Sequence, residues 1–175
     1  MKKLFFQLSA LVLVATLVTS CAKPPQVELD SAKASLEAAK LVEANRYLAD
    51  EFNALQDSLN AASVAIETEK SKSFISRSYG TITEKLVKIT ADADVLKSKV
   101  EERKAQVRSE VQETLVALSA LIAENKVLLA KAPKGKEGKA ALEAIQTDIT
   151  VIEASVNEVN TLISNGDYLT AQDKV

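Results

Sequence analysis

The chain has 175 residues with 24 acidic and 22 basic side chains, a formal net charge of −2, one cysteine and no histidine or tryptophan. Without histidine and with a single thiol, a metal site built from His and Cys ligands and a His-assisted nucleophile are both excluded. The mixed, mildly acidic charge argues against nucleic-acid binding, and we expect a non-enzymatic protein without metal or cofactor.

The start of the chain has the layout of a bacterial lipoprotein signal. Two lysines are followed by an apolar run from Leu4 to Val18, and small residues then lead to Cys21. In such a signal the peptide bond between Ser20 and Cys21 is cleaved, and the cysteine becomes the first residue of the mature protein. We therefore predict a cleaved signal peptide over residues 1–20 and lipidation of Cys21, with an N-acyl chain such as palmitate and an S-linked diacylglycerol.

Two other interpretations of this segment compete with lipidation. A transmembrane helix needs about 20 predominantly apolar residues, whereas this run has about 15 and is interrupted by polar side chains. A signal cleaved after Ala15 or Ser20 would leave Cys21 as a free thiol, which is a liability in an oxidising compartment. Lipidation is therefore favoured.

The residue after the cysteine bears on the membrane that holds the anchor. In proteobacterial lipoproteins an Asp at this position typically retains the protein in the inner membrane, and this chain has Ala22. By resemblance to that sorting rule, we expect an outer-membrane lipoprotein that faces the periplasm. An organism with a single membrane is left open.

The first mature residues predict a tether followed by a helix. Residues 21–29 are expected to form a lipidated, extended tether, because prolines 24 and 25 restrict the backbone just after the anchor. A first helix is expected from an N-cap at Asp30–Ser31 to about Ala44, with an interruption at Asn45–Arg46.

A second helix is expected over residues 50–69, where apolar side chains recur at steps of three and four. A polar turn over 70–73 separates it from the longest predicted helix, 74–131, which contains no proline. Apolar residues of this helix follow a coiled-coil spacing, but Arg103 occupies one of the seam positions. The sequence leaves open whether the helix is continuous or breaks near Gly80 or Arg103.

The most regular pattern lies near the C terminus. Steps of three and four separate seven aliphatic residues, as in a coiled-coil seam: Leu142, Ile145, Ile149, Ile152, Val156, Val159 and Ile163. A short loop rich in glycine and lysine over 131–139 makes the two flanking helices antiparallel neighbours. Residues 105–165 are thus predicted to form a hairpin that Asn165–Gly166 terminates. We expect the seam to pair within the chain, while dimerisation through it stays open.

These elements together predict an all-α protein. We expect an elongated bundle of antiparallel coiled-coil hairpins, in which about four helices share one long central helix. An N-terminal helical unit would cover residues 30–104, and a C-terminal hairpin with a short last helix would cover 105–175.

One segment carries a family resemblance. Ala44-Asn-Arg-Tyr47-Leu-Ala49-Asp-Glu51-Phe52 resembles the motif A-x-x-Y-A-P-x-E-[LF] of a helical bacterial envelope domain of unknown function, which occurs in outer-membrane and envelope lipoproteins. The resemblance covers about residues 30–104 and implies a tetratricopeptide-like look, but the motif's proline is missing here. Some members continue into a peptidoglycan-binding domain, and we do not carry that activity over to this chain.

The leading hypothesis is a lipid-anchored envelope protein that acts as a spacer, scaffold or protein–protein interaction module for another envelope protein or the cell wall. The alternative is a periplasmic carrier that holds a small apolar ligand between its first three helices, because several core positions are alanine. A small hydrolase that uses carboxylates alone is least favoured, because the acidic residues are spread along helix surfaces and only Asp92/Asp94 and Glu101/Glu102 are close in sequence.

Overall fold

The computed structural model describes residues 23–133, 135 and 138–175, which contain six α-helices, one short 3₁₀ helix and no strand. The α-helices are α1 (Gln26–Leu41), α2 (Ala44–Tyr47), α3 (Ala49–Ser71), α4 (Gly80–Lys131), α5 (Lys139–Ser164) and α6 (Tyr168–Lys174), and the 3₁₀ helix covers Phe74–Ser76. The predicted all-α class with a long central helix is therefore confirmed. The contacts divide the chain between Glu101 and Glu102 into two compact units, and each unit contains one part of α4.

Helix α1 begins at Gln26 rather than at Asp30, so it includes the last part of the segment predicted as an extended tether. Pro25 precedes the helix, where a missing N–H has no consequence, and its carbonyl accepts the first helical hydrogen bond from the N–H of Leu29 at 3.0 Å. Leu29 is buried in the core, which favours the longer helix. Asp30 does not act as the N-cap, and its carboxylate accepts a hydrogen bond from Gln26 Nε2 at 2.9 Å.

The interruption after α1 lies at Glu43 rather than at Asn45–Arg46. Glu43 has a φ of 67°, in the left-handed region that non-glycine residues rarely adopt. Its carboxylate accepts a hydrogen bond from Arg46 Nη1 at 2.6 Å, across the single turn of α2. The burial of Ala44 and Tyr47 stabilises this turn, which positions α3 to run back along α1.

In the first unit, α1, α2, α3 and the N-terminal part of α4 share one core. Lys99 Nζ lies 3.1 Å from Glu51 Oε2, which pairs the start of α3 with a late turn of this part of α4 and shows that the two helices are antiparallel. The buried side chains follow the predicted spacing and include Leu36 and Ala39 of α1, Phe52, Leu59, Ala62 and Ile66 of α3, and Ile82, Leu86, Ile89, Ala93, Leu96 and Val100 of α4. Each large aliphatic side chain contributes roughly 1.5–3 kcal/mol by leaving water.

Helix α4 is continuous from Gly80 to Lys131, which answers the question left open at Arg103. Arg103 stays half-exposed, and its Nη1 lies 3.6 Å from Glu110 Oε1, so this seam position needs no break in the helix. The start differs from the predicted one, because Phe74 belongs to the 3₁₀ helix that precedes α4.

In the second unit, α4 and α5 form the predicted antiparallel hairpin. Lys126 Nζ lies 2.6 Å from Glu153 Oε1 across the two helices, and Val107, Val111, Leu115, Ile149 and Val159 are buried. Helix α5 ends as predicted at Asn165–Gly166. Gly166 has a φ of 82°. The N–H groups of residues 166 and 167 donate to the carbonyls of Ile163 and Leu162 in the last turn of the helix, at 3.1 and 3.0 Å.

We expect Leu86→Ala to lower the free energy of unfolding by about 2–5 kcal/mol, because the side chain of Leu86 is fully buried and its truncation leaves a cavity. The matched control is Val87→Ala, since Val87 is the next residue of α4 and is 57% exposed. Urea denaturation followed by circular dichroism measures both variants. Equal effects of the two substitutions would contradict the described packing of α4.

Candidate interaction surface

The site residue that the sequence predicts, Cys21, lies outside the described residues, as does the predicted signal peptide over residues 1–20. Its lipidation therefore stays a prediction. Within residues 23–133, 135 and 138–175, no helix combines the length and the apolar character needed to cross a membrane.

Acidic side chains of the described segments form no group of three or more that could hold a metal ion. Asp92 and Asp94, which are close in sequence, each pair with a lysine of their own helix: Lys88 Nζ lies 3.0 Å from Asp92 Oδ2, and Lys97 Nζ lies 2.8 Å from Asp94 Oδ1. These carboxylates belong to solvated ion pairs and do not form a paired acid–base site.

The α4–α5 hairpin carries large aliphatic side chains that the contact between its two helices leaves exposed. Leu121 and Leu128 of α4 are 54% and 59% exposed, and Ile145 and Ile152 of α5 are 46% and 39% exposed. Each pair is seven residues apart, so its members lie on the same side of their helix. We call these four residues the apolar face.

Both halves of the apolar face lie on one side of the hairpin. The ion pair between Lys126 and Glu153 marks the opposite side of the α4–α5 seam. Successive residues of a helix are rotated by about 100°. On α4, Leu121 and Lys126 therefore lie on opposite sides of Ile122, which faces α5. On α5, Ile152 and Glu153 likewise lie on opposite sides of the line that faces α4. The hairpin thus has one charged side and one apolar side.

Helix α6 contacts the same side of α4, at a position that precedes the apolar face along α4. Gln172 Nε2 of α6 donates a hydrogen bond to Glu110 Oε2 at 2.9 Å, and Ala171 is fully buried. Glu110 precedes Leu121 by eleven residues, which is about three helical turns, so the two side chains point in similar directions. The apolar face therefore continues a surface on which one helix already packs.

The exposure of this face corrects the expectation that the regular seam of α5 is buried inside the hairpin. Ile149 and Val159 are 5% and 1% exposed, whereas Ile145 and Ile152, which belong to the same series, are 46% and 39% exposed. Two helices in contact cover only part of a wide apolar stripe. Seam spacing therefore identified these residues as apolar positions but did not show which of them have a partner.

The turn between α3 and α4 is a second exposed apolar feature. Phe74 and Ile75 at its tip are 66% and 95% exposed, whereas Tyr79 at its base is 3% exposed. Arg77 fixes the turn, because its Nε donates to the carbonyl of Lys72 at 3.1 Å and its Nη2 donates to that of Lys70 at 2.8 Å. These bonds satisfy carbonyl groups at the C-terminal end of α3.

Glu69 closes the same turn from the other side. Its carboxylate accepts hydrogen bonds from Lys72 Nζ at 2.6 Å and from the N–H of Ser78 at 3.0 Å. The side-chain bond from Lys72, followed by the backbone bond from Ser78, lowers the pKa of Glu69 below its ordinary value. The sequence predicted a polar turn over 70–73, but the turn continues to Tyr79, and Phe74 lies at its tip rather than in the following helix.

The first unit also contains a groove between α3 and α4. Its volume is about 290 Å³, and its lining includes the alanines 61, 62 and 65 together with Ile82 and Ile89. Lys85, Lys88 and Asp92 also line it. Small-molecule sites commonly have volumes of roughly 300–1,000 Å³, so this groove lies at the lower limit.

Comparison with protein-family models, with curated proteins and with solved structures finds no match for this chain. The resemblance to the envelope lipoprotein domain therefore stays a prediction that rests on the motif around Tyr47 and Phe52. Tyr47 is 7% exposed and Phe52 is 5% exposed, so both contribute to the core of the first unit.

We expect Glu69→Gln to lower the melting temperature at pH 7, because it weakens the bonds that close the turn. A carboxyl group whose pKa is lowered by folding stabilises the native state above its unfolded-state pKa, and this contribution is lost as the pH falls through the native-state pKa. The difference in melting temperature between Glu69→Gln and the unsubstituted chain should therefore shrink below about pH 4.3 and vanish in stronger acid.

Thermal melts between neutral and acidic pH measure this effect. Glu67→Gln is the control, since it removes an exposed ion pair with Lys70 (2.7 Å) on the same helix and should change the melting temperature little. A difference for Glu69→Gln that persists unchanged in acid would contradict the assigned role of the carboxylate.

Proposed function

We propose that this chain is a non-enzymatic lipoprotein of the bacterial cell envelope that binds a helical segment of another envelope protein. The anchor is the lipidated Cys21, and Ala22 favours the outer membrane with the body of the protein in the periplasm. The apolar face of the α4–α5 hairpin, which is 39–59% exposed at its four defining residues, is the observation that supports a binding role.

The form of this face suits a helix better than an extended chain. Leu121 and Leu128 on α4, and Ile145 and Ile152 on α5, border the channel that two packed antiparallel helices leave between their rounded surfaces. An amphipathic helix packs its apolar stripe into such a channel through residues at steps of three, four and seven. Helix α6 already contacts the same side of α4 through the hydrogen bond from Gln172 to Glu110, and its Ala171 is buried.

The polar residues near the face are compatible with an apolar partner. Asn125 lies between the two leucines on α4, and its Nδ2 donates to the carbonyl of Leu121 at 2.9 Å. One N–H of the Asn125 amide group is therefore already paired within α4. A helix that covers Asn125 would leave fewer of its polar atoms buried without a hydrogen bond. The nearby ion pair between Lys126 and Glu153 stays on the opposite side of the hairpin.

Carriage of a small apolar ligand by the first unit is the alternative function. The alanine-lined groove between α3 and α4 supports it, but a volume of about 290 Å³ and three charged lining residues suit a buried ligand less well. The apolar face of the hairpin is the better-supported binding surface.

We expect the mature chain to begin at Cys21 and to carry the mass of a diacylglyceryl group and an acyl chain. Cys21→Ala should abolish this modification and release the chain from the membrane fraction, or leave its signal peptide uncleaved, because the thioether has no other attachment atom. Intact-mass spectrometry and membrane fractionation measure both effects. A mature chain that carries an unmodified thiol would contradict the proposed anchor.

We expect Leu121→Ser/Ile152→Ser to reduce partner crosslinking at least tenfold. Apolar anchors at the centre of an interface commonly contribute more than 1 kcal/mol each. A loss of about 1.4 kcal/mol lowers the affinity tenfold, so the loss of both anchors exceeds this value. A photoreactive residue at position 125 reports the contact in intact cells. Membrane attachment should not change, since these side chains are remote in sequence from the anchor.

Val116→Ser/Val151→Ser is the matched control. Val116 and Val151 are 73% and 61% exposed on the same two helices, but helical spacing places them away from the apolar face. Crosslinking that is lost equally in both double variants, or retained in both, would show that the face does not bind the partner.

A further inference from the structure

We propose that the turn between α3 and α4 inserts Phe74 and Ile75 into the surface of the membrane that holds the chain's own anchor. This inference rests on the proposed lipidation of Cys21, and it adds a second, non-covalent contact with lipid. We call residues 70–79 the insertion turn.

The topology places the insertion turn at the anchored end of the first unit. Helices α1 and α3 contact each other and are joined only by residues 42–48, so they run antiparallel. The end of α3 therefore lies toward the beginning of α1. Only four residues separate Cys21 from Gln26, so the two positions are at most roughly 18 Å apart.

The insertion turn also projects beyond the start of α1. Helix α1 has 16 residues and α3 has 23. At about 1.5 Å per residue, the additional length of α3 is about 10 Å. A membrane that holds Cys21 is therefore close to the tip of the turn.

The composition of the insertion turn matches a lipid–water boundary. Phe74 is the only exposed aromatic residue in the part of the chain that the structure describes, and the adjacent Ile75 is 95% exposed. Lys70, Lys72 and Arg77 flank this pair, and no acidic residue occurs between positions 70 and 79. Lys70 and Lys72 pair with Glu67 and Glu69 at the end of α3, so anionic lipid headgroups would compete with these carboxylates for the two lysines. Apolar side chains flanked by cations are typical of segments that enter the headgroup region, where the cations meet anionic lipids.

The hydrogen bonds of the turn present these two side chains in advance of membrane contact. Arg77 binds two carbonyls of the turn, Glu69 accepts the N–H of Ser78, and Tyr79 is buried at the base. Because the backbone is already ordered, insertion requires little additional ordering of the chain. The network orders the base of the turn and leaves the apolar tip without protein contacts that would bury it.

A spin label at the turn tests the proposal. The full lipidated chain with Ser73→Cys is labelled with a nitroxide and placed in vesicles of phosphatidylethanolamine and phosphatidylglycerol. Ser73 is exposed and adjoins Phe74, so both apolar side chains are kept. Relative accessibility to oxygen and to a water-soluble nickel complex measures depth. We expect this label to lie roughly 5–10 Å below the headgroup level, whereas a label at Val64→Cys, a 67% exposed position of α3, stays in water.

Two double variants identify the cause of insertion. Phe74→Ser/Ile75→Ser, made in the Ser73→Cys chain, should return the label to water. Val87→Ser/Val95→Ser removes two exposed apolar side chains of α4, which are 57% and 56% exposed, and should leave the depth unchanged. A Ser73 label that lies in water in the otherwise unsubstituted chain would overturn the proposal, and this measurement does not depend on the folding of either double variant.

The number of labels per chain separates the two proposals. Because Cys21 is the only native cysteine, a lipidated chain without Ser73→Cys takes no label and the Ser73→Cys chain takes one. A native chain that takes one label shows that the anchor has failed. One label per Ser73→Cys chain, with that label in water, shows that the anchor stands and the insertion turn does not enter the membrane.

Discussion

The structure depends on the need to cover the apolar stripe of one long helix. Helix α4 carries aliphatic residues at steps of three and four from Ile82 to Leu129, except where Arg103 and Asn125 interrupt the series. An exposed stripe of this kind must pack against other elements. In the first unit, the stripe is buried from Ile82 to Val100 in a core that α1, α2 and α3 complete. In the second unit, Val107, Val111 and Leu115 are buried, but the stripe is only half-buried at Leu118, Ile122 and Leu129.

This difference in burial follows from the number of helices that each unit supplies. The first unit has enough helices to enclose its part of α4, whereas the second has α5 along the whole hairpin and the seven-residue α6 along only a part of it. Where α6 ends, Leu121, Leu128, Ile145 and Ile152 stay accessible. The proposed binding surface is therefore a place where the internal packing of the chain is incomplete.

Charged residues determine the character of the surfaces more than the stability of the fold. The pairs Lys99–Glu51 and Lys126–Glu153 are solvent-accessible, and exposed ion pairs contribute roughly 0–1 kcal/mol each. Their main effect is to make one side of each helix pair polar. At the insertion turn, Glu69 and Arg77 instead bond to the backbone, so their charges order a segment whose tip is apolar.

The sequence by itself determined the helical class, the antiparallel hairpin and the end of α5 at Gly166, because apolar spacing, helix-breaking residues and a short loop are local features. Its most specific functional indication, the predicted lipoprotein signal that precedes Cys21, is also local. Tertiary structure decided that Ile149 is buried while Ile152 is exposed, and that Phe74 lies on a turn instead of in the following helix. Spacing along one helix shows that a side chain is apolar, but its burial depends on whether another helix reaches it, and that is settled only when the whole chain packs.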